Sequence, residues 1–244
     1  MKIRVVFALP ALLLAGALFT SCPDVMSSSW GSWAKRDPRI PSITSGNIKG
    51  LLQAAVGDPE FAKALLDKII ASAKTATGDR KEMLEGAGIS AAALASGLDT
   101  LILSNAGSLI NAAGSDDIDT DAMQATMERI FNEAKGNNQT AIADELVELL
   151  SGEDWKNPNP AIMAHTDTDS LIISAMVLLI AESQKNHAGS FSAYLDDFAD
   201  RQEDVDPSNS LTPYEKTALC LAAIVAGNVA GMDDLFDFLK LPQT

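Results

Sequence analysis

The stretch Leu171-Ile-Ile-Ser-Ala-Met-Val-Leu-Leu-Ile-Ala181 is apolar nearly all round, with Ser174 its one polar member. Asp167 or Asp169 stands just ahead of it as an N-cap, and the run continues to about Glu182, which reads as a helix. A helix that is hydrophobic on every side is either a membrane span or the centre of a protein core. At ~1.5 Å per residue these positions cover about 16 Å, roughly half of the ~30 Å hydrocarbon layer of a bilayer. The segment must therefore be enclosed by other helices, and the rest of the chain supplies them.

Working outward, Ile48, Leu51, Leu52 and Val56 fall on one face of a short helix. Asp58-Pro59 is an N-cap followed by proline at the first helical position, and Phe61, Leu65, Leu66, Ile69 and Ile70 form the stripe behind it. A charged turn around Gly78-Asp79-Arg80 introduces a stretch from Met83 to Ala113; between Gly86 and Ser115 its only charged residue is Asp99. That stretch is long enough to span a membrane but is interrupted by Asp99, Asn105, Asn111 and several glycines, so it too reads as core. Gly97 and Gly107 are expected to let neighbouring backbones approach closely there.

Thr120 or Asp119 caps a helix with Met123, Met127, Ile130 and Phe131 inward, and Gly136-Asn137 ends it. Ile142, Leu146, Leu149 and Leu150 mark the next helix. Ser190 caps Phe191, Tyr194, Leu195 and Phe198, and Thr212-Pro213 starts a helix running to about Ala230. Leu235, Phe236 and Leu239 close the chain. No alternating strand pattern competes, aromatic and β-branched residues are sparse, and Ala and Leu are abundant. The expected fold is all-α, a bundle or irregular array of about eight to ten helices. Several helices read as consecutive pairs, a degenerate form of helical hairpin repeat, although no fixed period recurs. Residues 44–244 read as a single helical domain. Gly152 to Pro160, with Trp155, Pro158 and Pro160, is its best internal boundary and reads as a long connection packed by Trp155.

The first residues carry the address. Lys2 and Arg4 form a short basic region, an apolar run from Val5 to Phe19 follows, and Thr20 and Ser21 lead into Cys22. This is the pattern of a secretory signal peptide over residues 1–21, cut at a cysteine. Leu18-Phe19-Thr20-Ser21-Cys22 resembles the lipobox of bacterial lipoproteins, with Phe19 where the usual box has leucine and Leu18 one place further back. The resemblance implies that Cys22 receives a diacylglyceryl group and becomes the first residue of the mature chain. An ordinary cysteine beside a normal cleavage site is the plainer reading, and the scarcity of cysteines weighs against it. The other cysteine, Cys220, lies in an apolar stretch and reads as a small buried hydrophobe.

Residues 22–43 read as a lipidated tether, rich in serine and proline, with no helical period. Its Trp30 and Trp33 belong either at the lipid interface or docked on the body. The formal charge is −15 and becomes −17 once Lys2 and Arg4 leave with the signal. Such a body is repelled by nucleic acid and by anionic headgroups, while basic proteins and cations remain compatible partners.

Chemistry is thin elsewhere. Asp117, Asp119 and Asp121 with Glu128 occupy the first, third, fifth and twelfth positions of a calcium-loop register. Ala122 stands where that loop needs glycine, and the apolar period suggests the helix has already begun, so an acidic N-cap cluster is the simpler reading. Asp167-Thr168-Asp169-Ser170 is another acidic helix start. Asp196, Asp197, Asp200, Glu203, Asp204 and Asp206 read as a solvated face. His165 and His187 fit neither a metal-ligand nor a triad spacing. No catalytic residue, resident metal or cofactor is expected. The sequence points to a lipid-anchored protein on the extracytoplasmic side of the cell membrane or outer membrane. It would bind a protein partner of the envelope, or alternatively carry an apolar small molecule or lipid between helices of the Gly86–Ser115 region.

Overall fold

A computed structural model describes residues 40–113, 120–134, 138–186, 190–202 and 210–227. Among the described residues there are nine α-helices, one short 3-10 helix and no strand. The all-α expectation holds.

Helix α1 (Ile48–Ala55) opens from a turn in which the Asn47 side chain accepts from the Thr44 amide at 2.9 Å and donates to the Ser42 carbonyl at 2.9 Å. Val56, expected on its apolar stripe, instead follows the helix in extended conformation and is 64% exposed. The chain is already turning there, through Gly57 at φ +76°. Helix α2 (Pro59–Ala73) starts where Asp58 accepts from the Phe61 amide at 3.0 Å, and its expected stripe is buried.

Helix α3 (Asp79–Ser96) is buried without a break from Leu84 to Ala93. Gly97 then adopts φ +64°, the left-handed conformation that glycine enters at no steric cost, and α4 (Leu98–Ala113) leaves at 57° to α3. Ser96 Oγ accepts from the Leu98 amide at 3.1 Å and so starts the new helix. Gly97 is thus a helix stop; the surroundings of Gly107 lie outside the described residues.

Close approach is made by Gly86 and Gly88. A Cβ at Gly86 would stand 2.6 Å from His165 Cβ and 2.8 Å from its carbonyl carbon, while one at Gly88 would collide with Leu149 Cδ2. These glycines seat α3 against the 3-10 helix (Pro160–His165) and against α6 (Gln139–Leu149).

Helix α5 (Thr120–Ala134) packs on α4, and α6 follows Asn138, which stands at φ +57°. Helix α7 (Thr168–Asn186) is capped by Asp167, not Asp169: Asp167 accepts from the Ser170 amide at 2.7 Å and from its hydroxyl at 2.9 Å. Every residue from Ser170 to Ser183 is buried. Helix α8 (Phe191–Gln202) is capped by Ser190 Oγ on the Ala193 amide at 3.2 Å. Helix α9 (Pro213–Ala226) begins with a capping box formed by Thr212 and Glu215.

The enclosure of α7 is the centre of the fold. α9, α6 and α3 lie against it, and α2 covers α3. Consecutive helices α2/α3, α4/α5 and α6/α7 pack on one another, as the sequence pairs suggested. Segment 152–160 joins helices that are themselves in contact. Trp155 packs on the core, and Asn159 donates to Glu82 of α3 at 3.0 Å.

Because the Gly86 position faces the His165 backbone, Gly86→Ala is expected to lower unfolding free energy by about 1–3 kcal/mol despite alanine's better helix propensity. Gly50→Ala on α1, where an added Cβ meets nothing within 4 Å, should raise it by about 0.5–1 kcal/mol. Urea unfolding of the two variants checks the opposite signs.

Candidate functional site

The polar side chains at the junction of α7, α8 and α9 form the most developed constellation in the described residues. Glu215, at the third position of α9, is completely buried, which is costly for a carboxylate unless paired and hydrogen-bonded. Its Oε2 accepts from the Thr212 amide at 2.8 Å and from Arg201 Nη1 at 2.9 Å. Its Oε1 accepts from Arg201 Nη2 at 2.6 Å and from the Tyr194 hydroxyl at 3.2 Å. The guanidinium thus meets both oxygens in the forked geometry that gives the strongest charge-assisted bonds. Arg201 also donates from Nε to Asp197 at 3.1 Å. Thr212 Oγ1 donates to Glu182, a second buried acid, at 2.9 Å.

The electrostatics follow from this geometry. Burial, then the charges of Glu215 and Glu182, push the Tyr194 hydroxyl far above its ordinary range, so it is held as a donor. Burial works against the charge on Arg201, but Glu215 and then Asp197 offset it and raise the guanidinium. The reactive atoms have no access to solvent at Glu215, and each of its oxygens has two donors. The arrangement fastens α8 to α9, and through Thr212 to α7.

A second acidic group lies at the start of α3. Lys81 Nζ stands 2.8 Å from Glu85 Oε1 and 3.7 Å from Glu153 Oε1. Glu85 is buried, and neither of its oxygens has a well-aligned hydrogen-bond donor. Burial raises its carboxyl above the usual range, with Lys81 opposing.

The residues singled out in the sequence are scattered by the fold. Cys22, Trp30, Trp33, Asp117, Asp119, His187, Glu203, Asp204, Asp206, Leu235, Phe236 and Leu239 lie outside the described residues. Helix α5 already contains Thr120 to Ala134, so Asp121 and Glu128 of the calcium-loop register are both helical. Glu128 accepts from the Ser192 amide at 3.1 Å and its hydroxyl at 3.2 Å, so it sits on the N-terminal turn of α8, where a negative charge meets unpaired amides. Among the described residues no group of three or more His, Cys, Asp or Glu is placed to hold a metal ion. Asp196 and Asp200 are exposed on α8, and His165 is exposed at the end of the 3-10 helix. Asp169 is raised by burial and then by Asp167. Cys220 is buried in α9, and burial, then Glu153, Glu85 and Asp154, push its thiol up to about 12. It is therefore a poor nucleophile.

The apolar stretch proposed to line a groove divides in two. The α3 half is enclosed by α2, α6 and α7, whereas α4 exposes Leu103 at 47%. Among the described residues no single helix is long and apolar enough to cross a membrane; α3 with the start of α4 reaches that length and composition only as a bent pair.

Reasoning from sequence missed Arg201 and the glycines at 86 and 88. The pattern Thr212-Pro213-Tyr214-Glu215 did carry a signal, since Thr with Glu three residues on is a capping box. No protein-family model, no curated protein and no solved structure matches the chain.

Arg201→Ala leaves Glu215 charged, buried and short of two donors. Such a loss costs about 3–5 kcal/mol. Chemical denaturation should show that cost for Arg201→Ala and a clearly smaller one for the double variant Arg201→Ala/Glu215→Gln.

Proposed function

We propose that the chain is a lipid-anchored bacterial envelope protein whose acidic helical body binds a protein partner, as subunit or adaptor of an assembly on the extracytoplasmic side. The observation that carries this reading is the order of features at the N-terminus: basic residues Lys2 and Arg4, an apolar core, Cys22, then a proline- and serine-rich spacer. Helical packing follows soon after. Ile40 packs against the core and Ile43 is buried, so about 18 residues separate the anchor from the body, a reach of up to ~60 Å if extended.

The use of charge in the body supports a binding role. Glu215, Glu182 and Glu128 hold helices together by accepting hydrogen bonds from neighbouring elements. The acids left to the surface, Asp196 and Asp200 among them, give the body a strongly negative exterior. A partner with a basic face would be drawn to it from a distance, with association weakening as salt rises.

Two measurements test the reading. Cys22→Ser is expected to move the protein from the detergent phase to the aqueous phase on detergent partitioning; a variant still found with detergent removes the anchor. Gentle solubilisation of C-terminally tagged full-length protein, with mass spectrometry of what co-purifies, should recover a stoichiometric protein. Recovery of the body alone with bound lipid would transfer the reading to a carrier with its ligand against α4.

A further inference from the structure

Helix α6 meets α2 through three charged side chains. Lys63 and Asp67 stand four residues apart on α2 and therefore on one face of it, with Lys63 Nζ 2.8 Å from Asp67 Oδ1. Glu145 of α6 lies against that face, and Lys63 donates to its Oε1 as well. The other oxygen, Oε2, is buried and has no hydrogen-bond partner. Two carboxylates therefore share one ammonium, and one of them keeps a bare buried oxygen.

Among the described residues no second cation comes to the group. Lys74, further along toward the C-terminus of the α2 segment, pairs with Glu148 at 2.7 Å. Asp144, beside Glu145, accepts from the Tyr214 hydroxyl of α9. Lys185 of α7 lies over the Tyr214 ring, and Glu182 of α7 takes the Thr212 hydroxyl. Glu215 of α9 is held by Arg201, while from α3 Glu85 faces Lys81 and Glu82 takes Asn159. The charged groups acting on Glu145 are Lys63 and Asp67.

We propose that this contact is a proton-operated clasp, in which Glu145 takes a proton from solvent and gives it as a hydrogen bond to Asp67, drawing α6 onto α2. With the proton in place the three groups sum to neutral, Asp67 keeps Lys63, and the buried carboxyl no longer carries charge. Without it, two negative charges face each other across a single ammonium and α6 is held less firmly.

The titration follows the same geometry. Burial, then Asp67, hold the Glu145 carboxyl up to about 7, against the pull of Lys63. Burial would raise Asp67 too, but Asp67 is 57% exposed, and a hydrogen bond from the protonated Glu145 carboxyl, then the one from Lys63, bring it below the usual carboxylate range. Glu145 thus binds its proton more tightly in the folded chain than in the unfolded one, whose value is about 4.3. The stabilisation is fully present below that unfolded value and is lost as pH rises through about 7. An extracytoplasmic face is exposed to the pH of the surroundings, so α6 there would tighten on acidification.

Thermal melting of the full chain at pH 5.5 and pH 8.0 tests the clasp. The wild type should melt lower at pH 8.0 by about 2–4 °C more than Glu145→Gln does, since glutamine holds the uncharged state at both values. Hydrogen exchange corrected for intrinsic rate should show α2 and α6 losing protection at pH 8.0 in the wild type only. Equal pH shifts in wild type and Glu145→Gln overturn the proposal. Should Glu145→Gln fail to fold, carbon-13 titration of the Glu145 carboxyl in the wild type decides: an inflection near 7 supports the clasp, and one at about 4.3 overturns it.

Discussion

The constraint on which the structure rests is the complete enclosure of α7. Fourteen consecutive residues from Ser170 to Ser183 are buried, and its Leu, Ile, Val and Met side chains contribute about 1.5–3 kcal/mol each when fully removed from water. A helix buried on all sides needs neighbours around its whole circumference. α3 is one of them and is itself almost wholly buried, so two central helices must be covered by one set of outer ones. The glycines at 86 and 88 answer that demand by letting the covering elements sit closer to the α3 axis than any side chain would permit. Ser174, the polar residue in the middle of α7, donates to the Ile89 carbonyl of α3 at 3.1 Å, so its hydroxyl is satisfied within the core.

Local chemistry was legible in the sequence wherever a cap and a stripe coincided. Asp58-Pro59 and Thr212-Pro213 marked their helix starts to the residue, and the stripe of α2 is the buried face observed. Gly97 was harder, because a glycine inside a helical pattern is compatible with both close packing and a left-handed stop. The choice depends on whether the chain must turn. Glu128 illustrates the same limit. Its spacing from Asp117 fitted a metal loop, yet its partner is Ser192, 64 residues away, and nothing local announces that. Glu145 was indistinguishable from the many acids of this chain, since only the approach of α6 to α2 gives it unusual surroundings.

Carboxylates in this protein do two kinds of work. Those at helix junctions, Glu215, Glu182, Glu128 and Glu145, bind donors from other helices and determine how helices are joined. Their positions inside the fold explain why an acidic composition coexists with a well-formed core. The acids facing water leave the body with a large negative charge that favours solubility and governs encounters with other molecules.

The order in which helices pair along the chain has a kinetic side. α2 with α3, α4 with α5, and α6 with α7 are neighbours in sequence as well as in space, and local contacts of this kind form quickly. The bond from Ser174 to Ile89 crosses 85 residues, so the apolar face of α3 that meets α7 stays bare until the second half of the chain has emerged. A polypeptide made N-terminus first would hold its first hairpins assembled and unfinished, waiting for α7 as a keystone. Exposed apolar surface of that kind makes a part-folded chain prone to aggregate, and the interval closes when α7 docks.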